Sequence, residues 1–272
     1  MSPLQHSSTR GALAALLRKE LAVLFGSPIA YVVLTMVTFV TAFVFFEHLR
    51  AYNQILFLYA TSTMGGFESG TVPTHINLRD TVFNPVMDQL SLLLIIPIPL
   101  VTMRVFAEER ARGTEELLLT SGLRPTQIVL AKFGATFAFV VLMMSASFVY
   151  PLTAIAQGGL GAEHLMAVFL GLTGLAIGIA SIGLACSAFT SSQILAAAST
   201  VALAFLLYDF GWTHAFVSEP IAIFLDRIAL RPHFVRFAEG IVTAGDIVYF
   251  ASATLVAAAL ARLSLEMRRV TG

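Results

Sequence analysis

Apolar runs long enough to cross a lipid bilayer recur along the chain and restrict its fold more than any other feature. A helix needs roughly 20 apolar residues to span the hydrocarbon core. Runs of about that length lie at 28–46, 86–103, 126–149, 165–189, 192–208 and 246–262. Because backbone polar groups in lipid must be satisfied within each span, such a chain is expected to be all-α. The sequence therefore predicts a single membrane domain over residues 1–272 with six transmembrane helices.

The composition agrees with a polytopic membrane protein. Hydrophobic residues make up 57% of the chain and charged residues 12%, whereas soluble domains carry about 25% charged residues. The basic residues lie in short clusters near the ends of the apolar runs and form no continuous basic face, so nucleic acid is not an expected partner. The single cysteine, Cys186, lies in an apolar run and supports no disulfide framework.

The distribution of basic residues predicts the orientation, because cytosolic loops carry an excess of Lys and Arg. If the N-terminus is cytosolic, 11 of the 16 basic residues fall on that side. The others lie in two long outer loops, 47–85 and 209–245, at Arg50, Arg79, Arg227, Arg231 and Arg236. Both termini are therefore expected in the cytosol.

The segment ahead of the first span, residues 10–26, is predicted to form an amphipathic elbow helix in the membrane interface. Its apolar residues recur at helical spacing, at Leu13, Leu17, Leu21 and Leu24. An ordinary basic leader that only obeys the positive-inside rule is the alternative. Ser27 and Pro28 then suit the start of the first span, as cap and first helical residue.

Two local features are predicted from proline. Pro97 and Pro99 remove backbone donors inside the second span and are expected to bend or loosen it. On the outer side, Glu219 and Pro220 are expected to start a short helix whose apolar residues share one face. That helix is expected to pack on the outer leaflet or to dip into it.

Residues 104–121 contain the only dense charge cluster in the sequence and connect the second span to the third. Arg104, Glu108 and Arg112 are spaced four apart, which allows ion pairs along an exposed helix. Gly113 is expected to end that helix, and Thr114 to begin a second short one. We interpret this charged segment, residues 104–121, as a cytosolic docking surface for a soluble partner. A simple solvated connector is the alternative.

Small residues recur along the fourth span, at Gly171, Gly174, Gly178, Ser181 and Ala185. Such spacing lets helix backbones approach closely. Tight helix packing is therefore predicted, either against another span of this chain or against a second subunit.

Several classes of function are disfavoured. Charged groups inside the spans are nearly absent, and the nearest case, Asp88, suits the start of a helix better than an ion site. Ion-coupled carriers usually keep charges at membrane depth. The sequence contains no P-loop, nucleophile-elbow or metalloprotease motif, and its histidines are scattered, so neither an enzyme nor a metal site is expected. Any ATP chemistry would then come from another chain.

Four groups of residues resemble ABC transporter permeases of the type-2 (exporter) class, and within it the gliding-motility-type branch of bacterial permeases. They are Arg18-Lys-Glu-Leu21 with Ser27-Pro-Ile-Ala-Tyr31; Met103-Arg-Val-Phe-Ala-Glu-Glu-Arg110 with Gly113-Thr-Glu-Glu-Leu-Leu-Leu-Thr120; Lys132; and His233-Phe-Val-Arg-Phe237 with Gly240, Ile241, Asp246, Tyr249 and Phe250. The second and fourth groups are the more specific. The likeness covers essentially the whole chain.

The resemblance implies a multi-pass permease subunit of an ATP-driven exporter in the bacterial inner membrane. It implies that the charged segment carries a coupling helix that binds two ABC ATP-binding subunits, and that the permease pairs with a second copy or a sister permease. The docking residues carried over are Glu108, Glu109, Arg110, Gly113, Thr114 and Glu116. ATP and magnesium would bind to the partner ATPase, and this chain would hold no cofactor.

A second function is compatible with the same residues. In this alternative, the chain is the membrane subunit of a motility or cell-envelope machine. The ATPase would then drive mechanical or assembly work without moving a solute. The residues leave both functions open and do not identify a substrate.

Overall fold

The computed structural model describes residues 3–63, 77–120, 123–156 and 161–271. These residues form α-helices and contain no strand, so the predicted all-α fold is confirmed. The helices are α1 Pro3–Phe25, α2 Pro28–Thr63, α3 Asn84–Leu93, α4 Pro97–Thr102, α5 Arg104–Ala111, α6 Thr114–Thr120, α7 Pro125–Ser147, α8 Val149–Ala156, α9 Ala162–Phe189, α10 Gln193–Tyr208, α11 Glu219–Ile228, α12 Leu230–Ala238 and α13 Ala244–Thr271. A π-helix at Arg79–Phe83 precedes α3, and a 3₁₀-helix at Gly211–Ala215 precedes α11.

Five helical segments in the described part of the chain are long and apolar enough to cross a membrane. They are Pro28–Thr61, Arg79–Ala111, Pro125–Ser147, Ala162–Phe189 and Ala244–Arg269. The remaining predicted span is α10, which has 16 residues and is therefore about 24 Å long at 1.5 Å per residue. That is short of a hydrocarbon core of about 30 Å. The protein is thus a multi-pass helical membrane protein with five full-length candidate spans and one shorter apolar helix.

Helix α2 extends well beyond the predicted first span, 28–46. It has 36 residues and is therefore about 54 Å long. No glycine or proline follows Pro28 within it, so the polar residues Glu47, Arg50 and Asn53 are carried inside the helix. Much of the first half of the predicted loop 47–85 is consequently helical, and residues 64–76 of that loop lie outside the described residues.

The second predicted span, 86–103, is an interrupted helix. Helix α3 ends at Leu93 and α4 begins at Pro97, so the missing N–H of this proline falls at a helix start, where it costs no helical hydrogen bond. The expectation that Pro97 and Pro99 loosen this span is confirmed. A second interruption at Met103 separates α4 from α5.

The hydroxyl of Ser187 on α9 satisfies the backbone at this second interruption. It accepts hydrogen bonds from the N–H groups of Phe106 at 3.1 Å and Ala107 at 3.0 Å. It donates to the carbonyl of Met103 at 2.9 Å. Because the first N–H groups of a helix have no partner within it, this one side chain stabilises the start of α5 inside the bundle.

Helix α9 lies at the centre of the bundle, and α4, α7, α10, α12 and α13 pack against it. A Cβ atom added at Gly171 would overlap the side chain of Phe237, and one added at Gly174 would lie 3.0 Å from the ring of Phe250. At Gly178 the nearest Phe250 atom would be 3.5 Å away. The small-residue stripe therefore packs against α12 and α13 of the same chain.

Helices also occur where the two peripheral helices were predicted. Helix α1 covers the predicted elbow, residues 10–26, up to Phe25 and packs against α7. Helix α11 begins at Glu219 as predicted. Its Ile221 and Phe224 side chains are 51% and 61% exposed, so an apolar face lies on the surface of the bundle.

Candidate functional site

The charged segment folds at one end of the bundle as two short helices, α5 and α6. They meet at Gly113, whose φ of 70° lies in the left-handed region that favours glycine. Arg104 Nε lies 2.8 Å from Glu108 Oε2, and Arg112 Nη2 lies 2.6 Å from Glu108 Oε1. The predicted ion pairs and the predicted break are therefore confirmed. Ser121, the last residue of the segment, lies outside the described residues.

Both lysines of the chain meet two glutamates next to this segment, in what we call the lysine–glutamate cluster: Lys19, Glu20, Glu109 and Lys132. Lys132 Nζ lies 3.1 Å from Glu20 Oε2 and 2.8 Å from Glu109 Oε2, and it donates to the Val105 carbonyl at 2.7 Å. Lys19 Nζ lies 3.0 Å from Glu20 Oε1 and 2.5 Å from Glu109 Oε1. The cluster joins α1, α5 and α7, and its formal charges cancel.

Burial divides the cluster into an inner and an outer lysine. The side chain of Lys132 is 1% exposed and lies over the ring of Phe106, with 5.2 Å from Nζ to the ring centroid. Glu20 is also buried, at 7%, whereas Lys19 is 45% exposed. Burial lowers the pKa of Lys19, but its hydrogen bond to Glu109 and the charge of Glu20 outweigh that effect and raise the pKa above its usual value.

The expectation that the spans are nearly free of charge was wrong at Lys132, which lies inside the predicted third span, 126–149. A lysine within an apolar run needs an acidic or carbonyl partner at that depth, and this was the signal for the cluster. Asp88 was also misplaced, since it lies in the second turn of α3 and not at a helix start. Its Oδ1 lies 3.1 Å from Arg231 Nη2, so an ion pair explains it.

Arg110 fixes the position of α6. Its guanidinium donates two hydrogen bonds to the carboxylate of Glu115, at 2.9 and 3.0 Å, and a third to the carbonyl of Thr190 at 3.3 Å. The Arg110 side chain is 5% exposed. Such bidentate pairs fix the relative orientation of the two side chains and also stabilise their contact. The two halves of the charged segment are thus held to each other and to the end of α9.

The six docking residues implied by the resemblance fall into two groups in the structure. Glu108, Glu109 and Arg110 are engaged in ion pairs within the bundle, and their side chains are largely covered. The other three, Gly113, Thr114 and Glu116, are exposed at the turn and on the first turn of α6. We call this second group the exposed tip, because all three of its residues lie open to solvent at the surface.

A cavity of about 370 Å³ opens beside the cluster, between α1, α2, α4 and α5. Its wall is apolar, with Leu24, Ala30 and Val101 among the lining residues, and Lys19 and Arg104 lie at its polar side. The cavity lies where α1, α2 and α5 approach one another.

A second polar network lies at the opposite end of the bundle and connects α12 to α13. Asp246 is fully buried, and its Oδ1 lies 2.6 Å from His233 Nδ1 and 2.5 Å from Arg236 Nη2. Thr243 donates to its other oxygen. The ring of His233 stacks on Tyr249 with centroids 3.8 Å apart. All of these residues except Thr243 belong to the fourth resembling group, and the geometry gives them a structural role.

The described residues contain no group of three or more His, Cys, Asp or Glu side chains that could hold a metal ion. The polar side chains described above form ion pairs and hydrogen bonds that link helices to one another. The lysine–glutamate cluster thus connects the charged segment to α1 and α7.

The fold and its two polar ends define the class as a multi-pass helical membrane protein with a charged helical turn projecting at one end. A family model described as "ABC-2 family transporter protein" matches residues 80–224, which is more than half of the chain and runs from the π-helix through the charged segment into α11. The chain therefore belongs to the ABC-2 transporter family, as the resemblance predicted at this level. Membership implies a permease that associates with an ABC ATP-binding subunit. No curated protein matches the chain.

Proposed function

We propose that this chain is the membrane subunit of an ATP-driven exporter, in which the exposed tip binds the ATPase and the lysine–glutamate cluster passes its movement to the spans. The observation that carries the proposal is the cluster itself. It joins α5, which leads to the tip, to α1 and to α7 through ion pairs of 2.5–3.1 Å.

The exposed tip is held to the bundle by ion pairs, which suits a surface on which the ATPase would exert force. Arg110 ties α6 to α5 through Glu115, and Glu108 ties two turns of α5 together. Movement of a rigid element can rock packed helices between two arrangements, as in other switching proteins. A flexible connector would bend and would not pass the movement of the ATPase to the helices.

The proposed transmission follows contacts within the bundle. Closure of the ATPase would move α5, whose start is held to α9 through Ser187. Glu109 would carry the same movement to Lys132 on α7 and to Lys19 on α1. Helices on both sides of the 370 Å³ cavity would then shift relative to one another.

The wider assembly is part of the proposal. We place the chain in the bacterial inner membrane with both termini and the charged segment in the cytosol, because 11 of its 16 basic residues would then lie on the cytosolic side. Two ATP-binding subunits would bind ATP and magnesium, and this chain, without a P-loop, would not hydrolyse ATP. A second copy or a sister permease would complete the membrane part.

The gliding-motility-type branch is proposed from the residue patterns alone, chiefly the Met103–Thr120 and His233–Phe250 groups. The alternative function keeps the same tip and cluster but uses ATP for mechanical or assembly work. The two differ in whether a solute moves.

The proposal is tested by co-purification of the tagged permease with its ATPase in mild detergent. Glu116→Arg reverses the charge on the exposed tip and is expected to reduce the amount of bound ATPase. Glu163→Arg makes the same change at an exposed position at the opposite end of the bundle and serves as the matched control. Equal ATPase recovery from both variants would argue against docking at the tip, and recovery of the wild-type chain without any ATPase would remove the main support for the proposal.

Transport and mechanical work are then distinguished with the intact complex in sealed vesicles. ATP-dependent accumulation of a solute or lipid-linked compound supports the exporter. ATP hydrolysis that depends on the permease, with no compound moved from a membrane extract loaded into the vesicles, favours the alternative.

A further inference from the structure

An open groove of about 780 Å³ runs along the membrane face of the bundle between α10 and α13, with α9 as its floor. Its lining is almost entirely apolar, and Leu195, Leu203 and Leu207 form the α10 side. On the α13 side it is lined by Val256 and Leu260, among others.

The groove is long enough to hold the acyl chain of a lipid in one leaflet. Along α10 its lining residues extend from Leu195 to Leu207, which corresponds to about 18 Å at 1.5 Å per residue. Half of a hydrocarbon core of about 30 Å is roughly 15 Å. One acyl chain lying along the bundle would therefore fit within the groove.

A basic side chain lies at the end of the groove away from the charged segment. Arg227, on α11, lines the groove and is exposed, and no carboxylate in the described part of the chain lies within 4.0 Å of its guanidinium. Its neighbour Asp226 is engaged by His214, with 2.9 Å between Oδ2 and Nε2. An arginine guanidinium presents a fork of donors that matches a phosphate.

We propose that this groove binds one anionic phospholipid, with an acyl chain between α10 and α13 and the phosphate on Arg227. The proposal goes beyond the exporter function and does not depend on it. The bound lipid would cover the apolar surface between α10 and α13.

Native mass spectrometry of the purified full chain in detergent tests the proposal, because one spectrum reports both bound lipid and oligomeric state. The probes are phosphatidylglycerol and phosphatidylcholine, added separately. The wild-type chain is expected to retain one phosphatidylglycerol more tightly than phosphatidylcholine. Arg227→Gln is expected to weaken the phosphatidylglycerol complex roughly fivefold, whereas Arg50→Gln, an exposed arginine on α2 outside the groove, leaves it unchanged.

A second variant tests the groove separately from the charge. Ala253→Phe fills the groove and is expected to reduce retention of both lipids, while Ala251→Phe, exposed on the same helix but outside the groove lining, does not. Equal affinity for the two lipids in the wild type, equal effects of the two arginine changes, or unchanged retention in Ala253→Phe would each overturn the proposal. A loss of dimer without a loss of lipid in Ala253→Phe would assign the groove to a second copy and overturn it as well.

The only cysteine in the chain gives a readout that requires no variant. Cys186 lies in the groove lining, so a bound acyl chain is expected to slow its reaction with N-ethylmaleimide. Added phosphatidylglycerol should slow the labelling of the wild-type chain more than phosphatidylcholine. Identical rates with the two lipids would contradict a charge-selective site.

Discussion

Removal of Lys132 from the lysine–glutamate cluster is the sharpest test of the structure. In Lys132→Met the buried carboxylate of Glu20 and the partly buried carboxylate of Glu109 lose a partner, and the cluster changes from neutral to a net charge of −1. Breaking a buried ion pair by removing one partner costs about 3–5 kcal/mol. Because Lys19 still contacts both carboxylates, we expect a loss of about 3 kcal/mol, at the lower end of that range.

Lys19→Met is the matched control, because it removes the same charge from the same two carboxylates. The Lys19 side chain is 45% exposed, so water replaces much of its contribution, and exposed pairs are worth about 0–1 kcal/mol. Burial alone therefore predicts that the Lys132 variant is less stable than the Lys19 variant by about 2 kcal/mol or more.

The assay is the free energy of unfolding in mixed detergent micelles, measured for the wild type, Lys132→Met, Lys19→Met, Glu20→Gln and the double variant Glu20→Gln/Lys132→Met. The double variant restores a neutral cluster of Lys19 and Glu109, so it is expected to recover about 1–2 kcal/mol relative to Lys132→Met. Equal losses in the two lysine variants would refute the reasoning from burial and charge. A double variant whose loss equals the sum of the Glu20→Gln and Lys132→Met losses would refute it as well.

Three further changes test other parts of the bundle by the same unfolding assay. Gly171→Ala adds a Cβ that overlaps Phe237 and is expected to cost about 1–3 kcal/mol. Ser187→Ala removes the hydroxyl that satisfies the buried start of α5 and is expected to cost about 1–3 kcal/mol. Asp246→Asn replaces a fully buried carboxylate that faces Arg236 and is expected to lower stability and to increase proteolysis between α12 and α13.

Each of these three changes has a control of the same type at a position where the structure predicts little effect. Gly11→Ala adds a methyl group with no neighbouring atom within 4 Å. Ser145→Ala removes an exposed hydroxyl that only donates to a carbonyl one turn earlier. Asp226→Asn removes a carboxylate that pairs with a histidine at the surface. Losses as large as those of the three test variants would show that burial does not determine the effects.

Helix starts and breaks were largely predictable because they depend on local chemistry. Pro28 and Glu219 begin helices as predicted, Gly113 ends one in the left-handed region, and Pro97 follows a break. Pro28, Pro97 and the Pro220 that follows Glu219 each fix their own φ and lack a backbone donor, and Gly113 tolerates a positive φ that other residues disfavour. No distant contact is needed for such effects, so the sequence alone is sufficient.

The length of α2 was missed because hydropathy was given more weight than helix-breaking residues. Glu47, Arg50 and Asn53 lower the apolarity after residue 46 and suggested a loop. No glycine or proline follows Pro28 before Gly65, and polar residues without a breaker do not end a helix. The absence of breakers was the better guide to where this helix ends.

The lysine–glutamate cluster was not predicted because its members are far apart in sequence. Glu20 and Lys132 are separated by 112 positions, and Lys19 and Glu109 by 90. Pairing of charges across such distances depends on how the helices pack, which helical periodicity does not specify. Lys132 within an apolar span still implied that a partner existed, even though it did not identify which residue.

The separation between the exposed tip and the buried cluster makes docking and force transmission distinguishable. A change at Glu116 alters a surface residue and is expected to affect ATPase binding with little loss of stability, since surface substitutions usually stay within about 0.5 kcal/mol. A change at Glu109 leaves the tip intact but removes a carboxylate shared by Lys19 and Lys132. If the cluster transmits movement, Glu109→Gln retains the ATPase and loses the dependence of its activity on the permease. If the cluster only stabilises the bundle, bound ATPase keeps that dependence as long as the protein is folded. The two outcomes assign the cluster to coupling or to stability alone.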